Sequence, residues 1–282
     1  MTINDAEFRR NPSRTMDWPG VGQVCRLGLA TRGNTGLEPE DVERAVAAGV
    51  NYLNWCGHSD GMQDWIRQAG PRRGDVHVAV QFSARTAVEA ERELEKCLED
   101  LGTEYLDVVT YYYVESAAEW EELTGPGGAA EVIEDARESA VVRSIGLTSH
   151  QRSLAAGFAA SGRLDMLMIR YNAAHRGAEV DVFPETDSRG LPVVAFTCQR
   201  WGGLASPTPG DPTGFQPPSP PEWYRWVLCQ SAVAVALAAP NGATELDEVL
   251  EVLGDWKGQD DAWYQQLSEH GMRVYRHGGG FP

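Results

Sequence analysis

Apolar and polar positions along the chain follow two alternating rhythms. VCRLGLAT (24–31) is a short strand-like run, and EPEDVERAVAAG after it spaces its apolar residues as a helix does, with Pro39 and acidic residues in the first turn. NYLNW (51–55) reads as a strand, DGMQDWIRQAG as a helix, and DVHVAVQF (75–82) as a strand of clear parity. In that strand Val76, Val78, Val80 and Phe82 share one face, and His77, Ala79 and Gln81 share the other. TAVEAERELEKCLEDLG predicts an amphipathic helix and YLDVVTYYYV (105–114) a strand. On the same parity Tyr112 faces the barrel mouth, and Tyr111 and Tyr113 point the other way into the core.

The alternation continues through GGAAEVIEDARESA, RSIGLTS, QRSLAAGFAASG, DMLMIRYN, EVDVFPETDSRG and LPVVAFTC. A Pro/Gly-rich stretch at 205–221 predicts a lid or a long connection, after which PEWYRWVLCQSAVAVALAA returns to helix and strand and ATELDEVLEVLGDW to helix. Roughly eight β–α units in one chain imply a parallel sheet, which at this length closes best as an α/β (β/α)8 TIM barrel. Residues 1–257 form that single domain, and 258–282 predict a polar surface arm. Chemistry in a barrel sits where strands end and helices begin, which singles out Thr31, Asn54, Gln81, Tyr112, Thr148, Asn172 and Thr197.

Composition narrows the partners. A net charge of −17 over 282 residues disfavours nucleic acid and anionic membrane. The five cysteines are widely spaced with no C-x-x-C, which argues against a disulfide framework and against a metal site. No run approaches the ~20 apolar residues of a membrane span, and MTINDAEFRRNPSRT lacks the apolar core of a signal peptide. These features predict a cytoplasmic protein, and leave its oligomeric state open.

Several segments together resemble the aldo-keto reductases. LGLAT is similar to that family's first strand, GVNYLNW to G-[IV]-[NR]-x-[FI]-D-T-A, and CGHSDGM to Y-G-x-S-E with a shortened loop. VVRSIGLTSH resembles K-[IV]-R-x-[IL]-G-[VL]-S-N, IRYNAAHRGAE resembles Q-x-x-Y-N-[LP], and LPVVAFTCQRWGGLA resembles G-[VI]-x-[VI]-x-[AF]-[YF]-S-P-L-x-x-G-x-L. The likeness spans about residues 25–253, and the order and spacing of the motifs carry it. It implies oxidoreductase ancestry, with hydride transfer from NAD(P)H to a carbonyl. The family's proton donor is a tyrosine tuned by a lysine paired to an aspartate, with a histidine to orient the carbonyl.

Carried across residue by residue, that tetrad is degenerate. The aspartate position matches Asn54, the lysine Gln81 and the histidine Tyr112. The tyrosine falls on Cys56, or near His58 and Ser59 if the loop is not shortened. An acid–ammonium pair has become two amides of similar size, and replacing both partners of a buried pair can be nearly neutral where removing one is not. Such paired replacement fits a new role and fits drift under stability constraints equally well. For a cofactor, the resemblance implies Ser149, Asn172, Thr197, Arg200 and Gly203. The final helix, however, carries Glu245, Asp247, Glu248 and Glu251 with no basic residue to grip a 2′-phosphate.

The candidate catalytic residues are therefore Tyr112, His58, Asn54, Gln81 and Cys56, each with a plain structural alternative. Tyr112 is a proton donor or an aromatic filler of the mouth. His58 is an acid–base group or a surface residue of a glycine-flanked loop, and His150 and His175 stand under the same alternatives. Cys56 is a nucleophile or a small buried group. Three functions follow: a rebuilt pocket doing dehydratase- or isomerase-type chemistry on a small organic molecule, an NAD(P)H-dependent oxidoreductase with Tyr112 as altered donor, or a non-catalytic ligand-binding barrel.

Overall fold

The computed structural model describes residues 13–32, 36–254, 256 and 259–278. Most of the N-terminal segment read above for a leader, residues 1–12, lies outside them, as do residues 258 and 279–282 of the expected arm. Eight parallel strands close into a barrel: β3 (Leu27–Ala30), β4 (Tyr52–Trp55), β5 (His77–Phe82), β6 (Leu106–Tyr111), β7 (Val142–Thr148), β8 (Met166–Arg170), β9 (Val193–Phe196) and β10 (Val233–Ala238). They follow chain order, and β10 pairs with β3 to complete the ring. The (β/α)8 expectation holds.

Strand parity divides the core into two layers. Val78, Val80 and Phe82 pack outward against the helices, whereas Ala79 joins Tyr52, Val108, Met166 and Val194 inside the barrel. The interior leaves little room: a Cβ on Gly28 of β3 would come within 2.7 Å of Val235 and 2.9 Å of Leu237. Only glycine lets those two side chains of the last strand cross the first.

Two elements depart from the sequence expectation. An antiparallel hairpin, β1 (Thr15–Trp18) with β2 (Gly22–Cys25), precedes the barrel. It plugs the end where strands begin: Trp18 stacks on Tyr52 at 5.6 Å, and Asn51 accepts from the Cys25 amide and donates to the Gln23 carbonyl. Cys25 had been grouped with the first barrel strand, because one apolar run covers both elements.

The second departure is the expected polar arm, which is a packed helix, Asp261–His277. It buries Leu267, Ser268, His270, Gly271 and Val274, Tyr264 stacks on Trp226 at 5.2 Å, and Trp226 donates to Ser268 Oγ. Serine, histidine and glycine fill core positions here, so the apolar stripe was too thin to see. His270 also fastens the 205–221 stretch. Its Nδ1 lies 3.0 Å from Asp211 and its Nε2 3.0 Å from the Leu204 carbonyl, while Arg273 donates to Asp211.

Candidate active site

A cavity of about 1180 Å³ opens where the barrel strands end. Asn54, Cys56, His58, Gln81, Tyr112 and Thr197 all line it, so the expected catalytic residues come together. Their placement follows from β register: Asn54 and Gln81 are the penultimate residues of β4 and β5, and Thr31 follows the last residue of neighbouring β3. The loop after β5 is held in place by Glu93, whose carboxylate accepts from the amides of Ser83 and Ala84.

The floor is uncharged and under-bonded. Asn54 is buried, its Nδ2 donates weakly to Cys56 Sγ at 3.4 Å, and its Oδ1 has no hydrogen-bond partner among the described residues. The same is true of the buried Thr31 Oγ1. Burial pushes the Cys56 thiol up to about 11, with the Asp60 charge adding to the effect, so it holds no thiolate at neutral pH. His58 is exposed at the rim, and its carbonyl accepts from Trp55 Nε1.

A second group of side chains stands across the mouth and was largely missed in the sequence. Tyr113 was expected in the core beside Tyr111, but the strand ends at Tyr111 and Tyr113 adopts φ 46°, which breaks the parity and swings it into the cavity. Arg85 pins this turn by donating to the carbonyls of Tyr112 and Tyr113. The two phenol rings lie 4.0 Å apart, and Tyr113 stacks on His150 at 4.3 Å. Burial, joined by a hydrogen bond to Tyr112, raises the pKa of Tyr113, so its phenol stays protonated.

His150 is oriented by Glu115, whose Oε1 accepts from the His150 backbone amide at 2.8 Å and lies 3.3 Å from Nδ1. Burial and the nearby Arg170 lower the His150 pKa against the opposing pull of Glu115. The imidazole is neutral at pH 7, with Nδ1–H toward Glu115 and the lone pair on Nε2. Arg170 ends β8 and lines the same wall, half-buried. A charged residue closing the apolar run MLMIR was the signal for it. Glu115 had none, because the residue after a strand points wherever the turn sends it.

Backbone strain gathers at this end. Of the five described non-glycine residues with positive φ, four (Tyr113, Thr197, Arg200 and Trp201) belong to the mouth and its β9 loop, while Ala140 is the fifth. Such conformations cost of order 1 kcal/mol each and collect where function requires them. Trp201 is 59% exposed on the cavity edge.

The residues implied for a dinucleotide do not converge in this way. Asn172 is fully buried, its amide donating to the Thr197 carbonyl and accepting from the Ala174 amide. Ser149 is buried and accepts from the Gln151 amide, Arg200 donates to the Gly278 carbonyl, and Gly203 begins a single 3₁₀ turn. None of these four lines the cavity; Thr197 alone does. At the last barrel helix, Ala243–Leu250, Glu245 caps the Asn241 amide, and Glu245 and Glu248 stand exposed in the lining. Carboxylates occupy the place where phosphates would sit, so these residues fit a dinucleotide poorly.

Lysine is scarce as well. The chain has two, Lys96 and Lys257. Lys96 lies on an outer helix paired with Asp100, and Lys257 falls outside the described residues. No described lysine reaches either mouth tyrosine. Among the described residues no cluster suited to a metal ion occurs, and no helix is long and apolar enough to cross a membrane.

No protein-family model matches the chain, and no curated protein matches it in sequence. Solved structures do. Aldo-keto reductase AKR11C1 from Bacillus halodurans, in its holo form, superposes with a TM-score of 0.70 at 16% identity, over 87% of this chain and 92% of that one. The glycerol dehydrogenase AKR11B4 from Gluconobacter oxydans superposes with a TM-score of 0.69 at 17% identity, over 96% and 98%. At such identity the likeness establishes the fold: this is a (β/α)8 barrel of the aldo-keto reductase type.

Proposed function

We propose that the mouth cavity binds a small organic molecule and moves protons on it, in dehydratase- or isomerase-type chemistry, without the lysine-tuned phenol of a carbonyl reductase. The observation that carries this reading is the Glu115–His150 pair stacked on Tyr113 in a cavity no described lysine reaches. Neutral His150 takes a proton from substrate carbon or hydroxyl at Nε2, and Glu115 stabilises the imidazolium that forms. Tyr113, kept as phenol, or the adjacent Tyr112 donates to the leaving or rearranging oxygen. Asn54 and Gln81 orient the substrate from the floor. His58, exposed at the rim, and Cys56, without a thiolate, are given no proton-transfer role.

The fit of the dinucleotide residues supports no step through NAD(P)H. The oxidoreductase alternative keeps Tyr112 as proton donor to a carbonyl and needs that cofactor in the mouth, beside Glu245 and Glu248. A direct test incubates the purified protein in D2O with a panel of small aldehydes, ketones and hydroxy acids, and follows deuterium incorporation by NMR. In parallel it follows NADPH-dependent aldehyde reduction. Cofactor-independent exchange that is lost in His150→Asn is the expected result, with an acid limb in kcat/KM set below the ordinary imidazole range as His150 protonates. Reduction at rates ordinary for enzymes (on the order of 1–10³ per second), without exchange, refutes the reading.

A further inference from the structure

If the mouth is a proton-transfer site, its polar groups restrict what it can hold. In the closed order of strands β4 and β8 are four places apart, so their ends face each other across the barrel. On the β4 side, Thr31 Oγ1 and Asn54 Oδ1 are buried and unbonded among the described residues, and Gln81 stands beside them in the lining. Leaving such a group unsatisfied costs about 1–3 kcal/mol. An amide oxygen only accepts, so an approaching carboxylate does not relieve Asn54 Oδ1, whereas a hydroxyl or N–H does.

On the β8 side the requirement is opposite. Arg170 brings a half-buried guanidinium to the wall that also carries His150. Its planar fork of donors matches an oxyanion in two-point contact. The lining also contains the carboxylates of Glu93, Glu245 and Glu248, the last two exposed, and a second guanidinium, Arg32, while the Glu115 charge bears on Arg170 itself. A molecule with several negative charges meets more of these carboxylates than a single anionic group held at Arg170 does. One anionic group therefore suits this mouth better than several.

We propose that the substrate is a small bifunctional acid: one carboxylate held by Arg170 and, across the barrel, a hydroxyl or N–H given to the amide floor of Asn54 and Gln81. This rests on the proton-transfer reading of the same cavity. Its reacting carbon lies between the two anchors, on the side of His150 and the paired phenols. Arg170 is a binding and positioning residue in this scheme and takes no proton.

The test uses the full chain and three matched probe series, each about four to eight carbons long: ω-hydroxy carboxylates, their primary amides, and the carboxylates lacking the hydroxyl. Binding is followed by calorimetry. A charge-assisted contact predicts that each hydroxy acid binds at least about tenfold tighter than its amide, and that loss of the hydroxyl weakens binding several-fold. Arg170→Gln should abolish the acid-over-amide preference and leave the hydroxyl preference, Arg170→Lys should restore part of the first, and Asn54→Leu should remove only the second. Thermal melts of the same variants verify folding. Acid and amide binding equally, or a preference that survives Arg170→Gln, overturns the assignment while leaving the cavity a binding site. If no probe of any series binds at millimolar concentration, both this inference and the reading beneath it fall.

Discussion

Asp107 at one end of the barrel and Asn54 at the other are buried in opposite ways. At the end where strands begin, Asp107 is fully buried yet saturated: Arg73 and Arg143 donate to it at 2.8 Å, the Val78 amide does likewise, and His77 lies 3.8 Å away. The two guanidiniums sandwich the Tyr105 ring, each 4.2 Å from its centre, and the β1–β2 hairpin seals the opening. At the end where strands finish, Asn54 and Thr31 keep unpaired buried atoms, and four residues hold positive φ. One end holds a fully buried carboxylate with its partners in place, and the other holds buried neutral acceptors, Asn54 Oδ1 and Thr31 Oγ1, still open among the described residues. Stability accounts for the first arrangement. A bound molecule at the mouth would complete the second.

The comparison breaks most readily at Asp107. Asp107→Ala leaves Arg73 charged, nearly buried and without its carboxylate, and should cost about 3–5 kcal/mol, read as a lower urea midpoint with an unchanged slope. A pH titration of stability probes the other end. Burial, then Arg200, Arg170 and Arg152, hold His175 down to about 4, against about 6.5 in an unfolded chain. The unfolded state thus binds more protons between those values, so stability is full above pH 6.5 and falls as pH drops toward 4. Asp211, held near 2, adds to the loss only below the ordinary carboxylate range. Melting temperatures of wild type and His175→Asn should diverge least at pH 5 and most near neutrality if the variant removes this acid sensitivity at a fixed cost in packing. Smallest is Asn54→Leu. Removing an unpaired buried amide should leave stability within about 1 kcal/mol of wild type or raise it, which is the reverse of Asp107→Ala for a similar loss of a buried polar group.

The same contrast explains what was readable in the sequence. Strand periodicity and the loop–helix rhythm fixed the barrel, because burial on one face or both imposes a regular pattern. That regularity also placed Asn54, Gln81 and Tyr112 together in the cavity where strands end. What escaped was irregular. Tyr113 enters the cavity through one left-handed residue, and Glu115 reaches His150 from a turn. The helix Asp261–His277 packs through Ser268, His270 and Gly271, residues that carry no hydrophobic signal, and Gly271 is required because a Cβ there would stand 2.3 Å from the Ala173 carbonyl oxygen. Ser149 and Asn172 show the opposite limit, since the structure buries both outside the cavity lining. A motif identifies a polar residue at a strand end, but not whether neighbouring backbone groups have already taken its hydrogen bonds.

The central claim is that this mouth has been refitted for proton transfer on a small acid and no longer cradles a dinucleotide. The most direct measurement is a titration of the protein with NADPH and NADH, following quenching of its tryptophan fluorescence, where Trp201 lies exposed on the cavity edge. The account predicts no saturable quench by either nucleotide up to millimolar concentration. Saturation in the micromolar range, lost when Trp201 is replaced by Phe or when a small hydroxy acid competes, would contradict it.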